Sequence, residues 1–173
     1  MKKTTTTLAI AVLCAMSAGA FAGSSTAPVK WFGTVPGVIP GSDIIITGAN
    51  KGDVQDGLLM VDVNGSFVSQ DTVTLESHKY TPEDTTATPA TPAIIGDLVN
   101  ATWSLQNVAV IPGSYDTKNI KVSFNNLEVA PGADLPTAED VVYLTVKHDT
   151  ENADVVPGEQ VRVTTTVVAT TAA

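Results

Sequence analysis

Short runs of β-branched and apolar residues, interrupted again and again by proline–glycine pairs, limit what this chain can fold into. The pairs stand at 36–37, 40–41, 112–113, 131–132 and 157–158. Proline cannot donate to a sheet ladder and glycine permits tight turns, so each pair predicts a strand end. No window of a dozen residues carries the 3.6-residue period of an amphipathic helix. Several runs alternate instead. Ile120, Val122 and Phe124 face one way, against Lys121, Ser123 and Asn125. Val142, Leu144 and Val146 oppose Tyr143, Thr145 and Lys147, and Val161, Val163, Thr165 and Val167 oppose Arg162, Thr164 and Thr166. Alternation of this kind predicts an all-β protein of antiparallel sheets, each with one buried face, and the turn spacing suits a sandwich.

The runs predict strands over 29–35, 43–47, 58–63, 66–75, 98–111, 120–129, 141–147 and 160–169. Asn64 and Gly65, in "VDVNGSFV", predict a two-residue hairpin in which both take positive φ. Residues 81–94, "TPEDTTATPATPAI", are rich in proline and threonine and have little to bury, so they predict an exposed, extended loop within one domain. Trp103 lies inside a long strand and is expected in the core.

At the N-terminus, Lys2 and Lys3 precede an apolar run from Leu8 to Met16 and small residues ending in Ala20-Phe21-Ala22. This pattern predicts a Sec-type signal peptide over residues 1–22, and the run is too short to span a bilayer. Its removal turns nine basic and 18 acidic side chains into seven and 18, a balance of −11. Such a charge disfavours nucleic acid and anionic lipid as partners. Cys14, the single cysteine, leaves with the signal, so no disulfide is expected in the remaining 151 residues.

Chemistry is sparse. His78 and His148 lie in charged, turn-like contexts and are expected at the surface, which argues against a catalytic triad or a His/Cys metal site. Asp149, Glu151 and Asp154 lack the glycine and terminal glutamate of a calcium loop and are expected to be solvated. Neither cofactor nor metal is expected, and nothing argues for an enzyme. The Asn64 and Asn100 sequons each have a simpler place in a turn or strand.

An acidic, cysteine-free exported chain with Thr/Val-rich strands resembles the pilus subunits of the chaperone–usher class. The resemblance is closest to the coli-surface-antigen fimbrial major subunits, at "VKWFGTVPGVIPG" near the start and "PGEQVRVTTTVVAT" near the end. It implies that residues 36–173 form an immunoglobulin-like antiparallel β-sandwich lacking its final strand, completed by donor-strand exchange. It implies a homopolymer, a periplasmic chaperone, an outer-membrane usher, a host-surface receptor and a place in a surface fimbria, with no membrane insertion. Within residues 23–35, Ala27, Val29, Trp31, Gly33 and Val35 share one face of an extended strand and are the donor candidates. The same stretch also reads as the domain's own first strand, and both readings stay open. Val161, Val163, Thr165 and Val167 are the candidates for the groove edge that a chaperone grips. The chain ends in "ATTAA", where better-known subunits carry a penultimate aromatic. A different class of function, a secreted monomeric β-sandwich that binds carbohydrate, is the alternative; it needs exposed aromatic platforms, and the chain has few aromatics.

Overall fold

A computed structural model describes residues 40–156 and 158–171. Its strands are β1 (Ile44–Thr47), β2 (Leu59–Val61), β3 (Phe67–Ser69), β4 (Val73–Thr81), β5 (Ile94–Leu98), β6 (Thr102–Ile111), β7 (Ile120–Phe124), β8 (Leu127–Glu128), β9 (Val141–His148) and β10 (Arg162–Thr170). All their ladders are antiparallel. Helix among the described residues is confined to two 3-10 turns, Ala49–Lys51 and Thr117–Asn119. The strand predicted over 29–35 lies outside the described residues. The pairs at 40–41 and 112–113 precede β1 and follow β6, and the pair at 131–132 separates β8 from β9.

A strand residue has one neighbour on each side, so residues paired twice fix the order of the larger sheet. Leu144 pairs with both Val73 and Phe124, which sets β9 between β4 and β7. His78 pairs with Ile45 and Leu98, setting β4 between β1 and β5, and Phe67 pairs with Val61 and His148, setting β3 between β2 and β9. β8 lies beyond β7. Among the described strands, the second sheet consists of β6 and β10.

Three predicted strands divide, each for a local reason. The run 66–75 breaks at residues 70–72, where Asp71 Oδ1 accepts from Leu58 N at 2.7 Å. Along 98–111 the chain leaves the larger sheet between Leu98 and Thr102 and enters the smaller one. The run 120–129 folds back at Asn125 and Asn126, whose φ of 52° and 67° make the two-residue hairpin between β7 and β8. At Asn64-Gly65 the hairpin is real but its turn differs. Asp62 N donates to Ser66 O, Gly65 N donates to Asp62 O, and Gly65 alone has positive φ, at 83°. The loop is therefore three residues long, with glycine at the left-handed position of a bulge.

The alternation decides which side chains are buried. Ile120, Val122 and Phe124 from β7, and Val142 and Leu144 from β9, share one core with Trp103, Leu105 and Val108 of β6. Trp103 is fully buried, as expected, and its indole Nε1 donates to Glu139 O at 2.8 Å. Loop 82–93 is exposed almost throughout, as its composition predicts.

At the start of the domain, Glu76 of β4 holds the 49–51 turn. Its carboxylate accepts from Asn50 N at 2.9 Å and Lys51 N at 3.1 Å, and both residues have left-handed φ. These bonds, with the His78 ring at 2.9 Å, hold the Glu76 carboxyl below its ordinary value of 4.5. A depressed carboxyl adds stability above its unfolded value and loses it as the pH falls through the folded one. Glu76→Gln is thus expected to cost about 1–2 kcal/mol at neutral pH, and urea titrations should show that deficit closing as the pH falls below 4.5. Phe124→Ala, which empties a fully buried site, is expected to cost about 3–5 kcal/mol in the same assay.

Candidate functional site

β10 is the last described strand, and valine and threonine fill most of it. Its inward row, Val163, Thr165, Val167 and Ala169, with Val161 just before the strand, runs along one face, as the alternation predicts. From Val163 onward the row stands opposite Val110, Val108, Leu105 and Trp103 of β6. A register shift between Thr166 and Val167 keeps the two rows in phase by letting Gln106 and Asn107 both point to solvent.

Burial differs sharply across this ladder. Trp103 and Leu105 are fully buried and Val108 is 7% exposed, yet every member of the β10 row is only half-buried. An inward side chain is covered by the opposite sheet and by a neighbour on each side. Among the described strands β10 has one such neighbour, β6. β6 itself is covered on its other side over its first half, where Gly132 N donates to Leu105 O and Leu135 N to Trp103 O, each at 2.7 Å.

β1 supplies the facing edge. It pairs with β4 on one side, and its Cα atoms come within 8 Å of those of β10, with no ladder between the two among the described residues. Ile46 of β1 and Val161, Val163, Val167 and Ala169 all lie partly buried against the same core. Among the described residues, two edge strands, one from each sheet, thus flank a strip of half-buried core side chains. After Arg162, β10 has no charged residue, no proline and no glycine. Those are the devices that usually deter pairing at an exposed edge. Chemically the strip offers backbone donors and acceptors beside an apolar row, the requirements for adding a strand.

The donor candidates Ala27, Val29, Trp31, Gly33 and Val35 lie outside the described residues. The run 43–47 predicts the strand β1 but not its place at the edge of this strip. Its continuous "IIIT" is the only signal it offered, and a continuous apolar run does not distinguish an edge from a buried strand.

Both histidines depart from expectation, being 2% and 3% exposed. His78 is covered by β5 and the 49–51 turn: Nδ1 lies 3.1 Å from Gly96 O and Nε2 2.9 Å from Glu76 Oε2. The sequence pattern predicts no separate strand at Ile94–Leu98, and it is this strand, β5, that covers the ring. His148 stacks on Phe67 at 5.4 Å and meets Tyr115 edge-on at 5.1 Å. Tyr115 Oη donates to Gly65 O at 2.8 Å, and burial, with the nearby Glu159, pushes its phenol above the ordinary value. Asp149 is exposed and contacts Lys121 and Lys147, each at 3.2 Å, whose hydrogen bonds lower its carboxyl.

Comparison with protein families, curated proteins and solved structures gave no match to this chain.

Among the described residues Nδ1 of His148 is buried without a hydrogen-bond partner. His148→Phe keeps the aromatic stack and removes that desolvated nitrogen. It is expected to raise stability by about 1 kcal/mol, seen as a higher urea midpoint at unchanged slope.

Proposed function

We propose that this chain is the major structural subunit of a surface fimbria of the chaperone–usher class. In this reading it is exported, and an immunoglobulin-like domain lacking its last strand is completed by the N-terminal segment of the next subunit. The single observation that supports the reading is the half-buried row of β10 between the two facing edges β1 and β10. An extended segment entering there would pair with β10 and set alternate side chains beside Val161, Val163, Thr165, Val167 and Ala169. Ala27, Val29, Trp31, Gly33 and Val35 have the matching period of two. Donor and groove are different surfaces, so the contact is head-to-tail and leads to an open filament that holds bacteria to host cells. Before assembly the periplasmic chaperone covers the same edge, and the usher exchanges it for the donor.

The test moves residues 23–35 to follow Ala173 through a short flexible linker and compares that variant with the chain from residue 23 onward and with a truncation lacking 23–32. The expected result is a monomer that melts well above the truncation, while the unmodified chain forms concentration-dependent oligomers. A stable monomer before the move, with no gain after it, overturns the filament in favour of a complete ligand-binding domain.

A further inference from the structure

We propose that the outer face of the larger sheet carries a shallow site for an uncharged saccharide, centred on Tyr143. The site is separate from the β10 edge and does not rest on the filament reading. Tyr143 faces outward from β9 between the inward Val142 and Leu144, and it is 51% exposed. It lies in a depression of about 460 Å³ with Thr72, Asn125, Asn126 and Thr145, within the roughly 300–1,000 Å³ of small-ligand sites.

The lining selects the ligand class. None of these residues is charged, although the chain carries a formal net charge of −9. An anion is repelled by the protein as a whole, and a cation finds no carboxylate in the lining. What the site offers is an amphipathic ring beside hydroxyls and amides, a match for a sugar's apolar C–H face and its ring of hydroxyls.

Two features set these residues apart from other exposed polar side chains. Tyr143 N donates to Asn125 Oδ1 at 2.9 Å and Asn125 N donates to Tyr143 O at 3.0 Å. This reciprocal pair fixes the Asn125 side chain through its Oδ1 at the rim of the depression, and no hydrogen bond within the described residues uses its Nδ2. Asn126 sits at φ 67°, the second turn position, where glycine is the easier choice. The chain keeps an amide there in spite of the backbone cost. Among the described residues the hydroxyls of Thr72, Tyr143 and Thr145 and the amide of Asn126 make no hydrogen bond within the protein, so all are open to a ligand.

The experiment is an amide NMR titration of the monomeric variant in which residues 23–35 follow Ala173, with lactose, cellobiose and N,N′-diacetylchitobiose, and with 3′-sialyllactose as the anionic comparison. The expected result is saturable, millimolar binding of at least one neutral sugar, with shifts centred on Tyr143, Asn125 and Asn126. Tyr143→Ala should weaken it about tenfold or more. Asn126→Gly, which eases the turn and so keeps the fold, should weaken it severalfold. No saturable shift with any neutral sugar overturns the site, as does binding that survives both substitutions. Tighter binding of 3′-sialyllactose at these residues overturns the assignment to an uncharged ligand.

Discussion

Trp103 and Leu105 of β6 have to find their cover across the gap between the sheets, in a core shared with Val122, Phe124 and Val142. The chain's only cysteine is Cys14, so no internal disulfide ties one sheet to the other. Side-chain packing, with the backbone bonds from Gly132 and Leu135 to Leu105 and Trp103, is what holds β6 in place. β10 depends on β6 in turn, because β6 is its only described ladder partner. Any loss in the central core therefore reaches the edge strand, although β10 itself contributes only half-buried side chains.

The polar atoms trapped by this packing are used to hold the connections between strands. Trp103 Nε1 binds Glu139 O, and Ser77 Oγ binds Val99 O at 2.6 Å. Ser77 also reaches Asp140 O at 3.2 Å, and Tyr115 Oη binds Gly65 O. Each pairs a buried donor with a carbonyl in a turn or crossing that lacks a complete ladder of its own. Glu139 O and Asp140 O also accept from Ala101 N and Ser77 N, so side-chain and backbone donors together fix where the chain crosses between the sheets. Glu76 serves the 49–51 turn with the roles reversed, its carboxylate accepting from the backbone N–H groups of Asn50 and Lys51.

Alternation made the inward faces of β7, β9 and β10 readable from the residues alone, because a period of two has one solution when a single face is buried. Interruptions were harder to read. Asn125 continues the polar side after Lys121 and Ser123, but Asn126 falls on the apolar side with Phe124, and that break in the alternation marks the turn at which both residues take positive φ. The separation of β5 from β6 depends on where Val99 and Ala101 find backbone partners, at Ser77 and Glu139, far away in sequence. The same non-local cover explains the histidines, since neither "ESHKY" nor "VKHDT" indicates that Gly96 or Phe67 lies against the ring. At the candidate edge, the row from Val161 to Val167 was legible as one face, whereas the facing β1 edge was not. Whether a strand has one neighbour or two is a property of the assembled sheet.

The composition of β10 fits an edge that serves two opposed needs in the proposed filament. An edge that must accept a strand cannot carry the lysine, proline or bulky charge that would repel one, and it is therefore exposed to indiscriminate pairing until covered. Threonine eases that conflict. It is β-branched and favours the extended backbone as valine does, yet its hydroxyl tolerates water. Thr165 stands mid-row between Val163 and Val167, and Thr164 and Thr166 occupy the outer face beside it. Replacing valine by threonine at the middle of the row lowers the apolar area exposed before cover arrives and leaves backbone pairing intact. Affinity for an incoming strand then rests mainly on the ladder, with the flanking valines selecting its register.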